Sequence, residues 1–107
     1  MRAVVVWWDL EGSGQTISAL RGSLEAEGAA SWERVEGLCL KLWVADPTGN
    51  RWGAVMVWER EVPPVGSLPA NRAAELIGSP PTVRVEFEVE AAVAGSAWGA
   101  LVPQTEG

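Results

Sequence analysis

Two apolar segments of strand length, separated by five turn-forming residues, constrain the fold of this chain more than any other feature. The segments cover residues 37–45 and 51–58, and residues 46–50 between them read Asp-Pro-Thr-Gly-Asn. Apolar runs on both sides of such a turn predict a β-hairpin with a longer than minimal loop. The hairpin contains three of the seven tryptophans and the only lysine, Lys41, which stands between two leucines. A charge among apolar strand residues marks this hairpin as the place to look for a ligand.

The segment before the hairpin predicts a strand followed by a helix. Residues 3–8 are a continuous run of Ala, Val and Trp, typical of a central strand that is buried on both faces. Ser13 is a candidate cap for the next helix, which is expected to run for about four turns and to stop at Gly28. Trp32, in the connection that follows, is expected to fold back over this helix. The apolar stripe of the helix consists of Ile17, Leu20 and Leu24.

The segment after the hairpin predicts a loop, a short helix and a fourth strand. Residues 61–69 contain three prolines, which lack the N–H that helices and strands require, so they predict a loop. Residues 70–77 predict a short helix. From Thr82 onward apolar and charged residues alternate, which indicates a strand with one exposed face. We expect one domain over residues 1–91, and a C-terminal arm or tail over residues 92–107 with a mobile end.

The predicted order of these elements is βαββαβ, the ferredoxin-like pattern of α+β proteins. In this fold two helices cover one face of a four-stranded antiparallel sheet and leave the other face open. We expect the open face to carry several tryptophans. A soluble monomer would not expose them, so a second copy of the chain is expected to close the face in a homodimer.

The length of the hairpin loop decides which side chains share a face of the sheet. A four-residue loop places Trp43 opposite Ala54 and Lys41 opposite Met56, with Trp58 on the same face. A five-residue loop moves the tryptophans and methionine of the second strand to the face opposite Lys41. We favour the four-residue loop, because it directs four aliphatic side chains toward the helices. These are Leu40, Leu42, Val55 and Val57.

The composition excludes several classes of function. A formal net charge of −6, with eight scattered basic residues, argues against nucleic acid as a partner. The chain has no histidine, so Ser-His-Asp catalysis and imidazole ligation are excluded, and we expect neither a metal nor a cofactor. Gly12-Ser13-Gly14 lacks the rest of a phosphate-binding motif and predicts a helix-entry turn.

The remaining sequence features indicate a protein of the cytoplasm. No segment has the length of a membrane span or the pattern of a secretory signal, so we expect no membrane association and a cytoplasmic location. The single cysteine, Cys39, has no partner for an internal disulfide. Its position in the strand pattern predicts a buried small residue in preference to a reactive thiol.

The hairpin also resembles a known protein family. The pattern Gly37-x-x-x-Lys41-x-Trp43, followed by Gly-Ala-Val-Met-Val-Trp over residues 53–58, is similar to the central motif of the YdhR-like proteins, which are labelled as monooxygenases. The resemblance implies a dimeric α+β barrel, with Lys41, Trp43 and Trp58 in the barrel cavity. Met56 stands where the family usually has an aromatic residue. Related oxygenases use no cofactor. They remove a proton from an electron-rich phenol or quinol, and the resulting carbanion reacts directly with oxygen.

The candidate site residues follow from the hairpin and from the fourth strand. Lys41 is the candidate catalytic residue, because burial would lower its pKa into a useful range. It has structural alternatives: an ion pair with Glu86 across the dimer, or a position on an edge strand with its ammonium in solvent. Arg84 either lies on a solvated strand face or holds an anionic substrate. The substrate-binding candidates are Trp43, Met56, Trp58, Arg84 and Glu86.

These features lead to one functional hypothesis and two alternatives. The hypothesis is a cofactor-independent monooxygenase, or an aromatic small-molecule binding protein, of the dimeric α+β barrel type. The first alternative is a non-catalytic dimeric binding module, in which the tryptophans serve only as core or interface. The second is a cyclase or isomerase on the same fold, which would not need oxygen.

Overall fold

A four-stranded antiparallel sheet organises the protein. The computed structural model describes residues 1–27, 29–69 and 71–102, and within them the strands lie in the order β2-β3-β1-β4. Each strand is antiparallel to its neighbours. The architecture is α+β and is compatible with a ferredoxin-like fold, so the predicted sheet is confirmed. The strands are β1 (Arg2–Asp9), β2 (Leu38–Asp46), β3 (Arg51–Trp58) and β4 (Val83–Glu88).

Two helices pack against one face of this sheet, which we call the helix-covered face. They are α1 (Ile17–Glu27) and α2 (Arg72–Ile77). The third helix, α3 (Trp98–Leu101), is a single turn near the C-terminus, and 3-10 turns lie at Ala30–Trp32 and Val65–Ser67. Within the described ranges, no helix is both long enough and apolar enough to cross a membrane.

The starts of α1 and α2 are set by side chains that accept backbone N–H bonds. Thr16 caps α1, because its hydroxyl oxygen accepts a bond of 3.1 Å from the N–H of Ala19. The predicted cap, Ser13, instead accepts from Gln15 N–H and donates to the Leu10 carbonyl, which stabilises the turn before the helix. The helix therefore starts later than predicted and has 11 residues. The predicted stop at Gly28 lies outside the described residues.

The second helix is closed at both ends, and it starts two residues later than predicted. The side-chain oxygen of Asn71 accepts a bond of 3.1 Å from Ala74 N–H at the start of the helix. Gly78 follows the last turn with a φ of +76°, a left-handed conformation that favours glycine.

The hairpin has the predicted register but the opposite orientation. Its loop has four residues, and Lys41 pairs with Met56 and Trp43 with Ala54. The expectation that the aliphatic residues turn toward the helices is wrong, because Trp52 and Trp58 are buried in the core with β1 and α1. An indole ring has a larger apolar area than an aliphatic side chain, so burial of the tryptophans removes more surface from water.

The face without helices, which we call the helix-free face, is almost entirely apolar. Phe87 and Val44 are 52% and 41% exposed there. Trp7 is its only tryptophan among the described strands, so the expectation of several is wrong. The same alternation leaves β1 buried on one face and half-buried on the other. The face consists of Ala3, Val5, Trp7, Leu40, Leu42, Val44, Gly53, Val55, Val57, Val83, Val85 and Phe87, with the charged residues Asp9, Asp46 and Arg51 at one end.

Gly53 allows β1 and β3 to come together at this face. It pairs with Trp7 in the ladder, and the Trp7 side chain lies directly over it. A Cβ atom at position 53 would overlap the Val6 carbonyl oxygen and lie 2.8 Å from the Trp7 Cβ. The position therefore requires glycine.

Cys39 lies at an irregularity of β2 and is exposed. The pairing of β2 with β3 shifts by one residue between Leu38 and Leu40, which is a β-bulge at Cys39. The thiol is therefore not a buried core group, and the prediction of burial is wrong.

Candidate functional site

A cavity of about 450 Å³ lies between the helix-covered face and the two helices, and we call it the helix-side cavity. Its volume falls within the range of small-molecule sites. Lys41, Trp43 and Trp52 form its floor on the sheet. The described residues that complete the lining are Leu20, Ser23 and Leu24 of α1, Ser31 of the 3-10 turn, and Pro69, Asn71, Arg72 and Ala73 around α2.

Lys41 reaches this cavity because side chains alternate along β2. It shares the helix-covered face with Trp43, two residues further on. Trp32 approaches from the other side, since the 3-10 turn after α1 directs its ring into the core, where it is 8% exposed. The two indoles and the ammonium therefore come together only through tertiary packing, because Trp32 belongs to a different element from Lys41 and Trp43.

The Lys41 ammonium lies on the faces of two indole rings. Its Nζ atom is 3.2 Å from the ring centroid of Trp32 and 4.7 Å from that of Trp43. Cations are attracted to the negative face of an aromatic ring by about 0.5–2 kcal/mol, and more strongly when water is excluded. We call these three side chains the Lys41 cluster.

The Lys41 cluster lacks a carboxylate. No ion pair or hydrogen bond joins the Lys41 ammonium to any residue of the described ranges. Burial lowers the pKa of Lys41 from 10.5 to about 8, because the charged form loses hydration that the rings only partly replace. The side chain is thus a partly desolvated base at the wall of a cavity.

The other polar groups of the cavity come from the helices and the 3-10 turn. Ser23 and Ser31 contribute hydroxyls, and Asn71 contributes the amide that caps α2. Arg72 lies at the cavity and donates to Glu75 over 3.1 Å. The lining residues named above include no Asp or Glu. The cavity therefore offers donors and cations to a ligand, against mostly apolar walls.

A second cavity, of about 390 Å³, lies on the other side of the Lys41 cluster, beside the edge strand β2. We call it the edge cavity. Lys41 and Trp43 line both cavities, Trp32 lines the edge cavity, and Leu101 and Val102 at the end of α3 border it. The cluster is thus a partition between two cavities, with Lys41 in the wall of both.

The structure places two of the residues predicted for the site in the cavity lining and the other four outside it. Lys41 and Trp43 line the helix-side cavity, and Met56 is half-buried opposite Lys41 in the ladder. Trp58 is fully buried in the core, and its indole N–H finds no acceptor among the described residues. Neither Met56 nor Trp58 belongs to the described lining of the cavity.

Arg84 and Glu86 lie far from the Lys41 cluster, although they are on the same face of the sheet. They sit on β4, at the edge opposite β2, with β1 and β3 between. Both are exposed, and they form an ion pair with each other over 3.1 Å. Within one chain they do not contribute to the cavity.

Sequence reasoning missed several residues of the site. Trp32 was expected to fold over the helix, but its contact with Lys41 depends on the path of the connection. Trp52 has a clear sequence signal for its place in the site. It is two residues before Ala54 on β3, so it lies on the same face of the sheet as Ala54 and its partner Trp43. Ser23, Ser31 and Arg72 have none, since polar residues on short helices are common on any surface.

No protein-family model matches this chain, and no curated protein matches it. Within the described ranges, no three Cys, Asp or Glu side chains lie close enough together to hold a metal ion.

Proposed function

We propose that this protein binds a small aromatic molecule with an acidic group, such as a phenolate, an enolate or a carboxylate, in the helix-side cavity. The observation that carries the proposal is the position of Lys41. Its ammonium lines the cavity, is held between two indoles and has no carboxylate partner in the described part of the chain. Most lysines that leave water find such a partner.

An anionic ligand would supply the charge that Lys41 lacks. Two opposite charges interact more strongly in a partly dry site than in water, because the effective dielectric constant is lower. The indoles of Trp43 and Trp52 provide apolar walls on which an aromatic ring can stack. The site therefore favours ligands that combine a ring with a negative charge.

The reaction we propose is oxygenation without a cofactor, as the resemblance to the YdhR-like proteins implies. An electron-rich phenol that has lost its proton can pass an electron to oxygen, and Lys41 would stabilise the oxyanion of the substrate. Its lowered pKa also suits it to accept the proton. A cyclase or isomerase would use the same oxyanion stabilisation, and oxygen consumption separates the two reactions.

We also propose that two copies of the chain pack through their helix-free faces to form a dimeric α+β barrel. Apart from Asp9, Asp46 and Arg51 at one end, the face is apolar, and Phe87 and Val44 are substantially exposed in the single chain. Apolar faces of this extent are typical of interfaces. Burial of this face in a symmetric dimer would remove it from water on both copies at once.

The binding proposal is tested by tryptophan fluorescence, with 2-naphthoate and its neutral amide as ligands. We expect saturable quenching by 2-naphthoate at a concentration about tenfold lower than by the amide, as expected for a charge contact of about 1.4 kcal/mol. Lys41→Met should abolish this preference. Trp98→Phe removes an indole outside the helix-side cavity and should keep it. Equal affinities for acid and amide in the wild type would refute the role of Lys41.

The reaction and the assembly need separate tests. The wild type should consume oxygen with a naphthohydroquinone faster than the Lys41→Met protein does. Product formation without oxygen would instead indicate a cyclase or isomerase. Light scattering should give a dimer for the wild type and for Glu88→Lys, and a monomer for Phe87→Lys. A monomeric wild type would contradict the barrel.

A further inference from the structure

Lys41 combines a reactive type of group with unusual access. It is the only lysine of the 107 residues, so its ε-amine is the only one in the protein. Its side chain lines the helix-side cavity and also the edge cavity. A ligand in either cavity therefore lies next to the Lys41 side chain.

The surroundings of this amine favour its neutral, nucleophilic form. No carboxylate of the described residues holds the proton on Nζ, and the rings of Trp32 and Trp43 displace water from it. With a pKa of about 8, about half of the Lys41 side chains are neutral at pH 8, compared with about 0.3% of ordinary lysines. Desolvated lysines of this kind act as nucleophiles toward carbonyl groups.

We propose that Lys41 is a covalent attachment site for small aromatic aldehydes and ketones, which it binds as an imine. The neutral Nζ adds to the carbonyl carbon, and a proton moves from nitrogen to the former carbonyl oxygen. A second proton transfer then releases that oxygen as water and leaves a C=N bond. The step needs no oxidant or reductant, and hydrolysis reverses it.

The aromatic preference follows from the walls of the site. A ring attached to the carbonyl carbon lies beside Nζ, where Trp32 and Trp43 already stack on the ammonium. The indoles can pack on that ring and limit the access of water to the C=N bond. Aliphatic aldehydes would react with the same amine but gain less from these walls. This inference rests on the cavity of the proposed function, but does not require the ligand to be acidic.

The test is reductive trapping, since cyanoborohydride reduces an imine to a stable secondary amine. The protein is incubated with benzaldehyde and cyanoborohydride at pH 8, and the modified amine is located by intact mass and peptide mapping. The chain offers two amines, Lys41 and the α-amine of Met1, so Met1 serves as an internal reference. We expect Lys41 to acquire the benzyl group at least about tenfold faster in the folded protein than in the urea-unfolded chain.

Two controls define the outcome. Lys41→Arg keeps the positive charge but removes the amine, and should retain only the label on Met1. Propanal in place of benzaldehyde should reduce the labelling of Lys41 relative to Met1. Labelling of Lys41 no faster in the folded than in the unfolded protein would overturn the proposal. Binding of 2-naphthoate without trapping would reject the imine alone, and trapping without binding of 2-naphthoate would reject the acidic ligand alone.

Discussion

The Nζ atom of Lys41 lies 3.2 Å from the ring centroid of Trp32, so the only lysine of the protein rests on the face of a buried indole. The two residues come from different elements, a 3-10 turn and an edge strand. Their contact replaces the carboxylate that usually accompanies a lysine removed from water. Burial of the side chain removes water from the charged form and so lowers the pKa of Lys41, and with no carboxylate partner among the described residues the amine stays available to a ligand.

The first prediction concerns the pH dependence of stability. The pKa of Lys41 is about 8 in the folded protein and near 10.5 in the unfolded chain, so between these values the unfolded state binds more protons. The contribution of Lys41 to the free energy of unfolding should therefore rise as the pH increases from about 8 to about 10.5. Urea unfolding at several pH values should show this rise relative to Lys41→Met. A free-energy difference between the two proteins that is constant with pH would contradict the shift.

The second prediction concerns Gly53. Gly53→Ala should destabilise the protein by about 1–3 kcal/mol, because the added Cβ collides with the Val6 carbonyl and with Trp7. Gly22→Ala is the matched control, since position 22 is inside α1 and its Cβ would meet open space. That substitution should stabilise the protein by about 0.5–1 kcal/mol. Thermal and urea unfolding measure both changes, and equal effects would refute the close packing at Gly53.

The third prediction compares two buried tryptophans. The indole N–H of Trp8 donates to the Ser79 carbonyl over 2.9 Å, whereas that of Trp58 has no acceptor among the described residues. Trp8→Phe removes a satisfied hydrogen bond, and Trp58→Phe removes an unsatisfied donor. We expect Trp8→Phe to cost about 1 kcal/mol more in unfolding free energy. The reverse order would show that Trp58 has an acceptor in solution, such as a bound water.

The fourth prediction concerns the hairpin loop. The Gly49 N–H and the Arg51 guanidinium both bond to the carboxylate of Asp46, and they lower its pKa below the ordinary value. The stabilisation is present above the pKa of the unfolded chain and is lost as the pH falls through the folded pKa. Carboxyl titration by NMR should give Asp46 a lower pKa in the folded protein than in the urea-unfolded chain. In Arg51→Gln the Asp46 pKa should rise.

The hairpin shows what sequence reasoning can resolve. The turn-forming residues limit the loop to a few lengths, and each length fixes a complete register because side chains alternate with a period of two. The pairs Lys41 with Met56 and Trp43 with Ala54 could therefore be predicted. The orientation could not, since both sets of alternating side chains are largely apolar and either can face a core.

The site was predictable only in part, for the same reason. Lys41 and Trp43 are two residues apart on one strand, so local alternation is enough to join them. Arg84 and Glu86 satisfy the same alternation on β4, but two strands separate them from Lys41. Alternation identifies the face of a sheet and says nothing about the distance across it.

The sequence by itself determined the order of the elements, the hairpin register and the presence of one lysine among aromatic residues. The tertiary structure decided which face of the sheet the helices cover, because both sets of alternating side chains are largely apolar and only the packing of whole elements selects between them. It also decided that Trp32 reaches Lys41. That contact joins residues from separate elements, so it depends on how the connection after α1 packs against the sheet, and no local pattern encodes it.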